Sequence, residues 1–149
     1  MRTVKALVLS LGLVLVVDNV VTARQSVDDT RKLAEFYGPN WESAMARLDN
    51  FAVELQANPN AVGVLIVYGG QLGRRGEARA WSACIRSYLV DRRGIAANRI
   101  VMVNGGYRKT LTVEMWETTD RNHMPNPQPH IKPRDVRFKK GKARGLCEI

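Results

Sequence analysis

Histidine and cysteine are scarce in this chain, two of each in 149 residues, and their positions exclude more than their number does. His123 and His130 both lie beyond Asp120, so a histidine-dependent triad cannot be assembled upstream unless the end of the chain folds back. They share a proline-rich stretch with no third ligand at useful spacing, which argues against a metal centre. Paired acids are missing too: Glu77, Glu114 and Glu117 stand at no spacing that marks a glycosidase. Ser82 and Ser87 lack the context of a nucleophile elbow. Neither a Gly-Lys-Ser/Thr phosphate loop nor a Gly-x-Gly-x-x-Gly fingerprint occurs, and no internal repeat is evident. These absences predict a non-enzymatic protein without a cofactor or metal.

Long apolar runs are also rare. The main one, Ala6 to Val17, follows Arg2 and Lys5 and precedes the small residues of Val21-Thr-Ala23. Residues 1–23 are therefore expected to be a secretory signal, with the mature chain starting near Arg24 in the periplasm or another extracytoplasmic space. The run is short for a bilayer span and is interrupted by Asp18 and Asn19, but a retained anchor is the alternative reading. No cysteine follows the cleavage site to carry a lipid. What remains is long enough for one domain with its own core.

The net charge of +9 is unevenly placed. Residues 24–120 carry 13 basic and 11 acidic side chains, whereas residues 121–149 carry 8 basic and 2 acidic ones. Pro125, Pro127, Pro129 and Pro133 break up this second segment, which reads as an extended, hydrated, basic tail. It serves solubility alone or attaches to an anionic surface. For a secreted chain that surface is a cell-wall polymer, lipopolysaccharide or a phospholipid membrane, ahead of nucleic acid. Val136 and Phe138 alternate with Arg137 and Lys139, so a short edge strand is a further reading there. Cys84 and Cys147 form a disulfide that pins the tail to a helix, or Cys84 is a buried thiol on that helix's apolar face.

The richest pattern lies between Val62 and Tyr107. An apolar run, Val62 to Tyr68, stops at Gly69-Gly70. A basic loop, Gln71-Leu-Gly-Arg-Arg-Gly76, opens a helix from about Glu77 to Arg93, with Trp81, Cys84, Ile85, Tyr88 and Leu89 on its buried face and Gly94 as its stop. A second run, Ile100 to Val103, stops at Asn104-Gly-Gly-Tyr107. Upstream, Asp28 to Lys32 reads as a loop or frayed helix and Leu33 to Tyr37 as a short strand. Asn40 caps a helix whose apolar stripe is Ala44, Leu48, Phe51, Ala52 and Leu55. Leu111 to Trp116 alternates as a half-exposed strand, joined to the preceding one by a hairpin over Gly105 to Thr110. The order is β-α-β-α-β-β, an α/β (α+β sandwich) fold with two helices packed on a mixed sheet.

In such sheets, crevices form beyond the carboxyl ends of parallel strands, where the two glycine corners should meet. Arg74, Arg75 and Arg79 surround a helix start there, an arrangement suited to a carboxylate or phosphate. The candidate ligand-binding set is Gly69, Gly70, Gln71, Arg74, Arg75, Arg79, Asn104, Gly105, Tyr107 and Arg108; the competing reading is a solvent-facing turn.

The element order and local wording resemble the OmpA-like peptidoglycan-binding domain of OmpA and MotB proteins. Leu33 to Gly38 is similar to its first strand, Arg47 to Gln56 to its first helix, Val64 to Gln71 to its second strand and corner, and Ser87 to Ile100 to its second-helix exit. The resemblance covers about Leu33 to Trp116 and would make this chain a divergent secreted bacterial member. It implies a domain over residues 24–120 that binds the cell wall. In that family an aspartate at the first corner and an arginine on the second helix grip the wall peptide. Those positions fall near Gln71 and on Trp81 here, so both charged grips are absent, and Arg79 replaces the arginine only through a shift of helix register. The expectation is a non-catalytic binding module for peptidoglycan or another anionic envelope component. An accessory subunit that docks to an envelope protein through its basic tail is the alternative.

Overall fold

The computed structural model describes residues 30–143; the expected signal segment and Cys147 lie outside the described residues. The fold is mixed α/β, with two helices packed on a four-stranded sheet. Strand β1 (Thr30–Tyr37) begins earlier than the sequence suggests, because Thr30 to Lys32 pair with Thr118 to Trp116 instead of forming a loop or frayed helix. Helix α1 (Trp41–Ala57) starts where expected: the Asn40 side chain accepts the Ser43 N–H at 2.9 Å. Its stripe of Ala44, Leu48, Phe51, Ala52 and Leu55 is fully buried. Each large residue there contributes about 1.5–3 kcal/mol of burial.

β2 (Val62–Gly70) is buried along its whole length and runs through the glycine pair. After β2 come the two-residue strand β3 (Arg74–Arg75) and helix α2 (Glu77–Ser87). Past Ser87, α2 gives way to a π-helical turn, Tyr88–Arg92, instead of continuing as regular helix to Arg93. Gly94 follows in the left-handed region, φ +68°. β4 (Ile100–Arg108) passes through Asn104-Gly-Gly-Tyr107, and β5 (Thr112–Thr118) completes the main sheet.

The sheet order is β1-β5-β2-β4, with β2 and β4 parallel and β5 antiparallel to both β1 and β2. β4 and β5 are consecutive but do not form the expected hairpin. β2 lies between them, and the short connection crosses its end, where Gln71 donates its N–H to the Arg108 carbonyl at 2.8 Å. This central position also explains why β5 is buried on nearly every residue and is not half-exposed.

Both faces of β2 are covered. Leu65 and Val67 meet the helices in the main core, which includes Phe36, Trp81, Ile85 and Leu89. Val62, Val64, Ile66 and Tyr68 form a second cluster with Val101, Val103, Trp116 and Met124 on the other face. Met124 belongs to the basic segment after Asp120, which is folded back onto the domain. Its backbone is tied down by His130 and Ile131 N–H to the Tyr107 carbonyl, Arg137 N–H to Gln71 and Lys139 N–H to Gly73. Strand β6 (Lys139–Lys142) then pairs with β3 in a separate two-stranded ribbon. Much of the segment has no regular structure, but Pro133–Asp135 forms a 3-10 turn, and between 121 and 143 the segment is packed on the domain and is not the extended, hydrated tail that its prolines suggest. Its strand falls just after Phe138 and not on the Val136–Phe138 alternation.

Among the described residues, no helix is long and apolar enough to cross a membrane. Cys84 is disulfide-bonded and not a free thiol.

Candidate functional site

A cavity of about 380 Å³ opens where the carboxyl ends of β2 and β4 meet the start of α2. This is the crevice that the glycine pattern anticipates, although the strands run through their glycines instead of ending there. Val67, Gly69 and Gly70 of β2 and Met102, Asn104 and Tyr107 of β4 line it, with Arg74, Glu77, Arg79 and Ser82 on the helical side. Phe138, from the folded-back segment, also lines it and lies edge-on to Tyr107 with ring centroids 6.1 Å apart.

Local geometry explains this arrangement. A Cβ on Gly69 would lie 3.1 Å from the Tyr107 ring, so the missing side chain lets the tyrosine lie close over β2. In β4 the pairing slips: Val67 faces Asn104 but Tyr68 faces Gly106, leaving Gly105 as an extra residue. Such a bulge reverses which side of the sheet later residues face. Tyr107 therefore joins Asn104 on the cavity side, whereas Arg108 is turned to the opposite face. There its guanidinium lies 3.7 Å over the Tyr68 ring.

Six of the candidates thus come together in the cavity: Gly69, Gly70, Arg74, Arg79, Asn104 and Tyr107. Four do not. Gln71 holds the folded-back segment through its carbonyl and through Nε2 to the Asp135 carbonyl at 3.2 Å. Arg75 points outward over the Phe138 ring, 4.8 Å from its centroid. Gly105 and Arg108 lie on the Tyr68 side, where a Cβ on Gly105 would come within 2.5 Å of the Tyr68 ring. Trp81, where the resemblance would put the helix arginine, is wholly buried among Phe36 and Trp41 and has no part in the cavity.

The electrostatics favour an anion. Arg74 and Arg79 are exposed, belong to no ion pair among the described residues, and flank the first turn of α2. The cap residue Gly76 brings no side-chain acceptor, so no capping side chain claims the N–H groups at this positive helix end. Among the described residues, Glu77 is the single acid in the wall. Burial pushes its carboxyl pKa up, against the opposing pull of Lys139 and Arg74. Ser82 donates its hydroxyl to the Ala78 carbonyl, so it is engaged within its own helix. Neither histidine lines the cavity. Among the described residues, no three His, Cys, Asp or Glu side chains could hold a metal ion together.

Sequence reasoning missed two groups of residues. Glu77, Ser82 and Phe138 belong to the cavity wall; the first two are marked by their place on the first turns of α2, but nothing local marks Phe138. The second group is a partly buried ion network, centred on Glu114, on the opposite face. Arg108 bridges Glu35 at 2.9 Å and Glu114 at 2.8 Å, Lys32 joins both acids, and Tyr68 and Trp116 donate to Glu114. The network also grips the returning segment, because the Tyr68 hydroxyl accepts the Gln128 N–H and Arg108 Nε donates to the Gln128 carbonyl. No protein-family model matches the chain, and no curated protein matches its sequence.

Proposed function

We propose that the chain is an extracytoplasmic, non-catalytic binding module of OmpA-like type. Its cavity between β2, β4 and α2 holds a carboxylate or phosphate of peptidoglycan or of another anionic envelope component. The observation that carries this reading is the pairing of Arg74 and Arg79 with the uncapped start of α2 in one cavity. Such a site offers charge-assisted donors and a favourable helix-end field to one anionic group. The order β-α-β-α-β-β of the main-sheet strands and the two helices within residues 30–118, which the family resemblance implies, supports the reading. With Gln71 and Trp81 outside the cavity, recognition falls to Arg74 and Arg79 in place of the family's aspartate and helix arginine. An accessory subunit docking through its tail is less well supported, since residues 124–142 are packed against the domain and are not the free, hydrated tail on which that reading rests.

Purified peptidoglycan sacculi test the proposal. The protein is expected to sediment with sacculi at low salt, and Arg74→Ala/Arg79→Ala is expected to abolish this while leaving the melting temperature unchanged. Absence of the unaltered protein from the pellet at low salt would overturn it.

A further inference from the structure

The end of the sheet beyond the cavity carries a second, separate combination of features. Three large apolar side chains are strongly exposed among the described residues, Tyr37, Val53 and Leu72, and two of them are at this end. Tyr37 closes β1, and Leu72 is at the tip of the loop after β2. β1, β5 and β2 are consecutive neighbours, with Gly38 N–H bonded to the Leu111 carbonyl and Gln71 N–H to that of Arg108. Two strand spacings, about 10 Å, therefore separate the ends of β1 and β2.

Cations outside any ion pair among the described residues flank the loop that carries Leu72. Arg75 on β3 and Lys139 and Lys140 on β6 share the two-stranded ribbon, and Arg137 is fixed beside it by its N–H to the Gln71 carbonyl. All four are exposed, and none belongs to an ion pair among the described residues. The sheet's own cations differ: Arg31, Lys32 and Arg108 are each bonded to carboxylates. Of the acids beside the ribbon, Asp135 is 4.0 Å from Arg134, and Glu77 is half-buried in the cavity wall.

We infer that this end of the molecule docks on the surface of a bilayer rich in anionic phospholipid, with Leu72 entering the headgroup boundary and Arg75, Arg137, Lys139 and Lys140 meeting the phosphates. The chemistry matches the surface on both counts. An apolar side chain at a loop tip gains by leaving water for the acyl boundary, and each cation near an anionic leaflet adds attraction that salt screens. Tyr37 is the kind of amphipathic ring that settles at headgroup level. The inference does not rest on the cavity proposal, because it uses neither Arg74 nor Arg79.

The experiment introduces Leu72→Trp into the full chain and reads the introduced indole against the unsubstituted protein. Vesicles of phosphatidylcholine, with or without phosphatidylglycerol, carry brominated acyl chains as quenchers. This local readout is insensitive to attachment through any other part of the chain. The expected result is a blue-shifted, quenched emission with phosphatidylglycerol vesicles, reversed by salt and absent with pure phosphatidylcholine. Adding Arg75→Ala/Lys140→Ala should raise the lipid concentration at half-quenching on the order of tenfold. Arg79→Ala should leave that concentration unchanged, which separates this surface from the cavity. Equal quenching in both vesicle types, no quenching in either, or no effect of the double substitution would each overturn the inference. So would a blue shift that grows with protein concentration in the absence of lipid, since a second copy would then cover Leu72.

Discussion

At the scale of single residues, Gly105 and Glu114 matter most, because they set the Tyr68 ring and the Arg108 guanidinium, the two side chains that hold Gln128 of the returning segment. Gly105 is the extra residue of the β4 bulge and has the Tyr68 ring against it. Gly105→Ala forces that ring or the strand to move, which is expected to cost about 1–3 kcal/mol, read as a lower urea midpoint. An unchanged midpoint would mean that the ring has room to yield. For Glu114, burial acts to raise the pKa, but bonds from Arg108, Trp116 and Tyr68 outweigh it and hold the carboxyl below its usual range. A depressed folded-state pKa contributes stability that is present above the unfolded-state value, about 4.3, and is lost as pH falls through the folded one. Urea midpoints should therefore fall on acidification below about pH 4, and Glu114→Gln should lower the neutral midpoint and flatten that decline. An equally steep acid limb in the variant would assign the loss to other carboxylates. Glu114 and Arg108 also show why the sequence was only partly legible at this scale. Alternation along β4 would put Arg108 beside Asn104 in the crevice, but a bulge reverses facing without altering composition. The α1 stripe, by contrast, depends on spacing alone and is buried at all five positions read from it.

At the scale of elements, the segment after Asp120 is the part that least resembles its sequence reading. Its prolines keep it largely free of regular structure, although Pro133 opens a 3-10 turn where an extended chain is expected. What it packs against cannot be read from them, because its attachments are mainly backbone N–H groups of Gln128, His130, Ile131, Arg137 and Lys139, available to any sequence without proline at those positions. The second apolar face of β2 was the available hint, since a strand apolar on both sides needs a cover on each. A chain ending at Asp120 should uncover Val64, Ile66 and Tyr68, and it is expected to bind a hydrophobic dye and melt lower than the full chain. Dye-free behaviour with an unchanged melting temperature would show that the segment adds nothing to the fold. The cavity's position was legible, because two apolar runs flanking a helix define a crossover unit. Phe138 in its wall was not, since it comes from residues distant in sequence.

At the scale of the whole molecule, the layers follow from the element order, but the arrangement of strands within the sheet does not. A short connection such as residues 109–111 reads as a hairpin. Here it steps over the end of β2, and nothing in its composition records that an earlier strand occupies the gap. That placement of β5 has a kinetic side. Among the described residues β1 pairs with β5 alone, through residues 112–118, so no strand in the first half of the chain gives β1 a backbone partner. While the polypeptide is being made, the sheet is at best the parallel pair β2 and β4 with an open slot beside β2, and each such slot is an edge at which another chain can pair. Assembly must then wait for a late strand to enter a central position and close contacts of long sequence separation, a topology associated with slow folding.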